Sequence, residues 1–105
     1  MSYPKEAYVD SLEKIKADLS HIPDDLPEEA KGHINPILKL VTAQICELNG
    51  DRDSGTGADP FALRNHIKGF KDKLVNLKDI QMFNEYEAMV DCLINEGVKG
   101  TLTSG

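Results

Sequence analysis

In the stretch SYPKEAYVDSLEKIKADLSHI, apolar side chains return at Tyr8, Leu12, Ile15, Leu19 and Ile22, steps of four and three that lay one apolar stripe along a helix. Pro4 suits a first turn, Asp10 and Lys14 can pair on the wet side, and Pro23 disfavours helical geometry in its predecessor. A helix is therefore expected over about 4–21. A second stripe, Ala30, Ile34, Ile37, Leu38, Val41, Ile45 and Leu48, predicts a helix over 26–49. Asp25 and Glu28 stand at capping-box spacing at its start, with Pro27 in the first turn, and Gly50 supplies a left-handed stop. Gly32 and Pro36 interrupt this pattern and predict a kink, or a break with a new start near Asn35.

The third helix opens with Asp59 as N-cap and Pro60 at the first helical position, and its stripe of Leu63, Ile67, Phe70, Leu74 and Leu77 carries it over 60–76. No Gly or Pro separates it from the next apolar set, Ile80, Met82, Phe83, Tyr86, Met89, Val90, Leu93 and Ile94. The phase of the pattern nevertheless slips between Asn76 and Asp79, which places a turn there, with Asp79 capping a fourth helix over 80–96 and Gly97 closing it. Residues 50–58 read as a flexible connection; a calcium loop starting at Asp51 would fail at Thr56 and Ala62. Residues 98–105 read as a mobile tail. No segment alternates long enough to form a strand, so the expected fold is all-α, an antiparallel four-helix bundle in a single domain over 1–97.

Composition narrows the class of function. A chain of 105 residues with 40% hydrophobic and 29% charged side chains has enough apolar material for one core, which argues against a disordered chain. A net charge of −6 disfavours nucleic acid and favours a basic protein partner, and the acidic surplus lies mainly in residues 1–58. No run of apolar residues approaches a membrane span, and the charged first twenty residues lack the apolar centre of a signal peptide, so a cytoplasmic protein is expected. Cys46 and Cys92 have neither a Cys-x-x-Cys partner nor histidines at zinc spacing and read as reduced thiols.

Charge is then divided between the last two helices. The third carries Arg64, Lys68, Lys71, Lys73 and Lys78 against Asp72, and the fourth carries Asp79, Glu85, Glu87, Asp91 and Glu96. Either the two helices lie side by side with complementary fields, or Arg64, Lys68, Lys71 and Lys78 together grip a phosphate or an acidic partner. His21, His33 and His66 read as scattered, and Glu29 with His33 makes a lone i,i+4 pair, so neither a metal nor another cofactor is expected. No nucleophile stands with a base, and Cys92 follows Asp91 on an acidic helix that would disfavour its thiolate, so no enzyme activity is expected.

The stretch HIKGF, residues 66–70, resembles the His-x-x-Lys-Gly motif of histidine phosphotransfer domains, with one residue fewer between His66 and Lys68. The resemblance implies a four-helix bundle with His66 as phosphoryl acceptor, a neighbouring lysine to neutralise the phosphoryl group, and Gly69 leaving room for a partner. The missing residue turns Lys68 about 200° round the helix from His66, away from the acceptor's side.

Two surfaces are candidate partner contacts. One is the acidic group Asp24, Asp25, Glu28 and Glu29; the other is the wide apolar side of the fourth helix, with Met82, Tyr86 and Met89, which would also serve a homodimer. The function expected is that of a small acidic cytoplasmic protein that binds and inhibits or regulates another protein, as inhibitors, immunity proteins, antitoxins and adaptors do; phosphotransfer through His66 is the alternative. Nuclease immunity proteins share this size and acidity, but the adjacent tyrosine pair of the colicin-immunity kind does not occur here.

Overall fold

The computed structural model of the chain describes residues 4–21, 26–50 and 58–99, with 97–99 as backbone only. Four helices account for nearly all of it: α1 (Lys5–Ser20), α2 (Glu28–Leu48), α3 (Pro60–Asp72) and α4 (Leu77–Lys99). Among the described residues there is no strand. Each helix packs on its neighbours in sequence, α2 against α3 most extensively, and α1 closes the ring on α4 over a smaller contact. The diagonal pairs, α1 with α3 and α2 with α4, do not approach each other among the described residues.

Ion pairs give the directions. Glu29, at the start of α2, reaches Lys73, just past the end of α3. Arg64 and Lys71 ascend α3 while their partners Asp91 and Glu87 descend α4. Both hairpins are therefore antiparallel, and the molecule is an all-α four-helix bundle. Cys46 on α2 and Cys92 on α4 lie on diagonally opposed helices, half-buried and not joined by a disulfide.

The core follows the stripes closely. Tyr8, Leu12, Ile15 and Leu19 of α1 are buried against Ala30, Ile37, Val41 and Leu48 of α2, Leu63, Ile67 and Phe70 of α3, and Phe83, Met89, Val90 and Leu93 of α4. Ile34, Leu38 and Ile45, placed in the α2 stripe by their spacing, are only half-buried. The position that completes the stripe instead is Gln44, buried between Val41 and Leu48. Its side-chain Oε1 is buried without a hydrogen-bond partner, and stranding a polar atom in that way costs about 1–3 kcal/mol. Gln44→Met keeps the length and removes the polar atoms, so it should raise the unfolding free energy by about 1–2 kcal/mol. A shift of the urea midpoint to lower concentration would be the opposite result and would show that Gln44 is satisfied in solution.

The helix boundaries carry several corrections. Asp59 caps α3 as expected, its carboxylate accepting the Ala62 N–H at 3.0 Å, with Pro60 as the first helical residue. The α3–α4 turn comes earlier than the phase slip suggests: α3 ends at Asp72 and α4 begins at Leu77. Asn76, not Asp79, is the cap, its side-chain oxygen accepting from the N–H groups of Lys78 and Asp79 at 2.9 and 3.4 Å. Asp79 sits in the first turn of α4, where a negative charge favours the exposed N–H groups.

In α2 the break foreseen near Asn35 does not occur, and the helix runs through Pro36 without interruption. Pro36 cannot donate to the Gly32 carbonyl one turn back, and because Gly32 is exposed, water can take that carbonyl. Pro27 precedes α2 as its N-cap with no side-chain cap, and Asp25 lies outside the described residues. Gly50 adopts φ 77° after the helix, the left-handed stop that its position implied. α4 continues past Gly97 to Lys99, since a glycine weakens a helical turn by only about 1 kcal/mol and does not forbid it. Most of the 50–58 connection, residues 100–105 of the tail, Ile22, Pro23 and Asp24 also lie outside the described residues.

Candidate functional site

The described structure brings together two histidines that looked scattered. His33 on α2 and His66 on α3 meet across the α2/α3 seam with their Nδ1 atoms 3.0 Å apart, within hydrogen-bonding distance. Their rings stand edge to face, centroids 5.3 Å apart and planes at 62°. Both side chains are half-buried. Gly69 makes this contact possible: a Cβ built there would stand 2.7 Å from Cε1 and Nε2 of the His33 ring, so only glycine leaves the imidazole its place against α3. His21, at the end of α1, is apart from the pair and contacts the Ala17 carbonyl through Nδ1.

This geometry removes the feature that the phosphotransfer motif depends on. The space beside Gly69 is filled by the ring of His33, not left open to a partner, and His66 is engaged through Nδ1. Lys68 lies on the exposed stripe of α3 with Phe61, Asn65 and Asp72, away from the half-buried His66.

The basic residues of α3 are likewise not one grip. Arg64 reaches Asp91 at 3.1 Å and Lys71 pairs with Glu87, so these two face α4. Lys73 turns the other way, to Glu29 of α2 at 2.7 Å. Their hydrogen bond holds the Glu29 carboxyl below the usual carboxylate range and the Lys73 ammonium above its ordinary value. Lys78 belongs to the first turn of α4. The complementary-field reading of α3 and α4 thus describes Arg64 and Lys71; the more exposed Arg64–Asp91 pair contributes about 0.2–1 kcal/mol, and the Lys71–Glu87 pair is half-buried.

Of the candidate partner contacts, Glu28 and Glu29 are exposed at the start of α2, and Glu28 pairs with Lys31 at 3.8 Å. Asp24 and Asp25 lie outside the described residues. The α4 surface needs correction. Tyr86 and Met89 are core residues, and Met82 is half-buried, because α4 presents two stripes to the bundle, one toward α3 and one toward α1. The breadth of its apolar side reflects two packing partners inside the molecule.

Large apolar residues are exposed elsewhere. Val75 and Leu77, in and just after the α3–α4 turn, are 83% and 75% exposed, although Leu77 extends the α3 stripe in sequence. The early end of α3 takes it off that stripe. The Glu29–Lys73 pair places this turn at the same end of the bundle as Glu28 and Glu29. Phe61, also exposed, stands at the opposite end.

Among the described residues no group of three or more His, Cys, Asp or Glu could hold a metal ion, and no helix is long and apolar enough to cross a membrane. The chain matches no family model, and neither a curated protein nor a solved structure gives a significant match to it.

Proposed function

We propose that the protein acts without catalysis, by binding another protein as an inhibitor or regulator of the immunity-protein, antitoxin or adaptor kind, through the end of the bundle where α2 begins and α3 turns into α4. The observation that carries this reading is the exposure of Val75 and Leu77 at the same end of the bundle as Glu28 and Glu29. Two aliphatic side chains held out of the core by a short turn, at the same end of the bundle as the Glu29–Lys73 pair, are the composition of a small anchor with a polar rim. The exposed carboxylates of Glu28 and Glu29 at this end, with the net charge of −6, favour a basic surface on the partner. A cytoplasmic setting belongs to the same reading, since two cysteines that form no disulfide suit a reducing compartment.

The test is affinity capture from extract of the source cells, washed at about 0.15 M and about 0.5 M salt, where the screening length falls from about 8 Å to about 4 Å. A stoichiometric partner should survive the first wash and weaken in the second. The double substitution Val75→Asp and Leu77→Asp should then weaken binding of that partner by about tenfold or more, whereas Phe61→Asp at the opposite end should leave it unchanged. Equal binding by the two variants would remove this end of the bundle as the contact, and the absence of any partner at either salt would remove protein binding itself.

A further inference from the structure

We propose that His33 and His66 form a latch across the α2/α3 seam that holds while the pair carries no more than one excess proton and opens when both rings are protonated. The chemistry follows from the one contact. A neutral imidazole has one N–H and one bare nitrogen, so a hydrogen bond between two Nδ1 atoms requires one ring to carry its proton on Nδ1 and the other on Nε2. Adding a proton to Nε2 of the donor ring leaves the bond in place and makes it charge-assisted. Adding a second, to Nδ1 of the acceptor ring, sets two N–H groups against each other at 3.0 Å with no acceptor between them, and places two positive charges on rings 5.3 Å apart.

The surroundings do not offset the second charge. On α2, Glu29 one turn before His33 is tied to Lys73, and Lys31 is tied to Glu28. On α3, Arg64 is held by Asp91 and Lys71 by Glu87, Lys68 is exposed on the far side, and Asp72 shares that exposed stripe. From α1, which packs on α2, Glu13 pairs with Lys16 and Asp18 accepts the Tyr86 hydroxyl; from α4, which packs on α3, Glu87 and Asp91 are the acids already engaged. Among the described residues no carboxylate pairs with either imidazole. Nor can the His33 ring simply be pushed deeper, because it already fills the space over Gly69.

The sign of the pH effect is fixed by this exclusion. Well below the ordinary histidine value of about 6.5 the unfolded chain binds two protons at these positions, and the latched fold binds one. Folding then releases a proton, and stability falls as pH falls. Urea unfolding of the wild-type protein between pH 7.5 and 5 should show the unfolding constant rising toward about tenfold per pH unit below about pH 6, beyond whatever background the variants share. His33→Gln removes one titrating ring and should lose that increment. Gly69→Ala keeps both histidines but puts a Cβ where the His33 ring lies, so it should lose the same increment although nothing titratable has been removed.

Imidazole nitrogen chemical shifts of the wild-type protein at pH 8 read the latch directly and do not depend on how the variants fold: one ring should show a protonated Nδ1 and the other a protonated Nε2. Both rings in the same tautomer, or a wild-type pH profile parallel to those of His33→Gln and Gly69→Ala, would overturn the proposal.

Discussion

Phe83→Ala should lower the unfolding free energy by about 4 kcal/mol, the largest effect expected of any single truncation in this protein. Phe83 is fully buried on α4 and stands between two other rings, with the Phe70 centroid at 5.0 Å and the Tyr86 centroid at 5.1 Å, the latter edge to face. Truncation removes the transfer energy of the ring, leaves a cavity in the core, and discards two aromatic contacts worth about 0.5–1.5 kcal/mol each. A domain of this size has about 5–15 kcal/mol of stability in all, so a loss of about 4 should lower the melting temperature by some 15–20 °C. Phe61→Ala is the matched control. Its ring is exposed at the start of α3, and its truncation should fall within about 0.5 kcal/mol. Thermal and urea unfolding followed by circular dichroism decide the matter, and similar losses in the two variants would mean that the aromatic cluster does not organise the core.

How much of this was legible in the residues depends on the length of the connections. The Asp59 cap and the stripe positions Tyr8, Leu12, Ile15 and Leu19 of α1 and Leu63, Ile67 and Phe70 of α3 rest on local rules, and they fall where those rules put them. The α3–α4 turn is short, so the helices it joins stay nearly level, and the basic α3 and acidic α4, one of two readings open in the sequence, meet as Lys71–Glu87 and Arg64–Asp91. Its position was missed by a few residues because Leu77 continues the α3 period, while the Asn76 cap, a shorter-range signal, overrides that period.

The histidine pair was hidden for the converse reason. His33 stands several turns before the end of α2 at Leu48, whereas His66 is about two turns into α3 from Pro60, so the two become level only through a register offset. Nothing in the long connection between α2 and α3 states that offset. One signal was present: Gly69, a glycine inside a helix, costs about 1 kcal/mol relative to alanine and implies a close approach. The phosphotransfer resemblance assigned that approach to a separate partner, whereas the fold fills it with His33. The α4 surface misled in a related way, since an apolar side wide enough for a partner is also what a helix needs when it faces two neighbours in a ring.

Removing one oxygen from the weakest seam should have the second largest effect. The α1/α4 contact is the smaller one that closes the ring, and the Tyr86 hydroxyl donates across it to the Asp18 carboxylate. A hydrogen bond to a charged acceptor contributes about 1.5–3 kcal/mol, so Tyr86→Phe should destabilise by about 2 kcal/mol while leaving the ring packed on Phe83. Asp18→Asn keeps an acceptor for the hydroxyl and should cost less than Tyr86→Phe. Alkaline pH supplies an independent reading. Burial first, and then the Asp18 hydrogen bond and charge, push the Tyr86 hydroxyl well above its ordinary value near 10. The unfolded chain gives up that proton near pH 10 while the folded chain keeps it, so the stabilisation is present in full below about pH 10 and is lost as pH rises beyond it. The wild-type protein should therefore lose its advantage over Tyr86→Phe above about pH 10, and the other tyrosines, present in both chains, cancel in the comparison. A Tyr86→Phe variant as stable as wild type at pH 7, with no change in the difference at pH 11, would mean that this hydrogen bond does not help to hold α1 to α4.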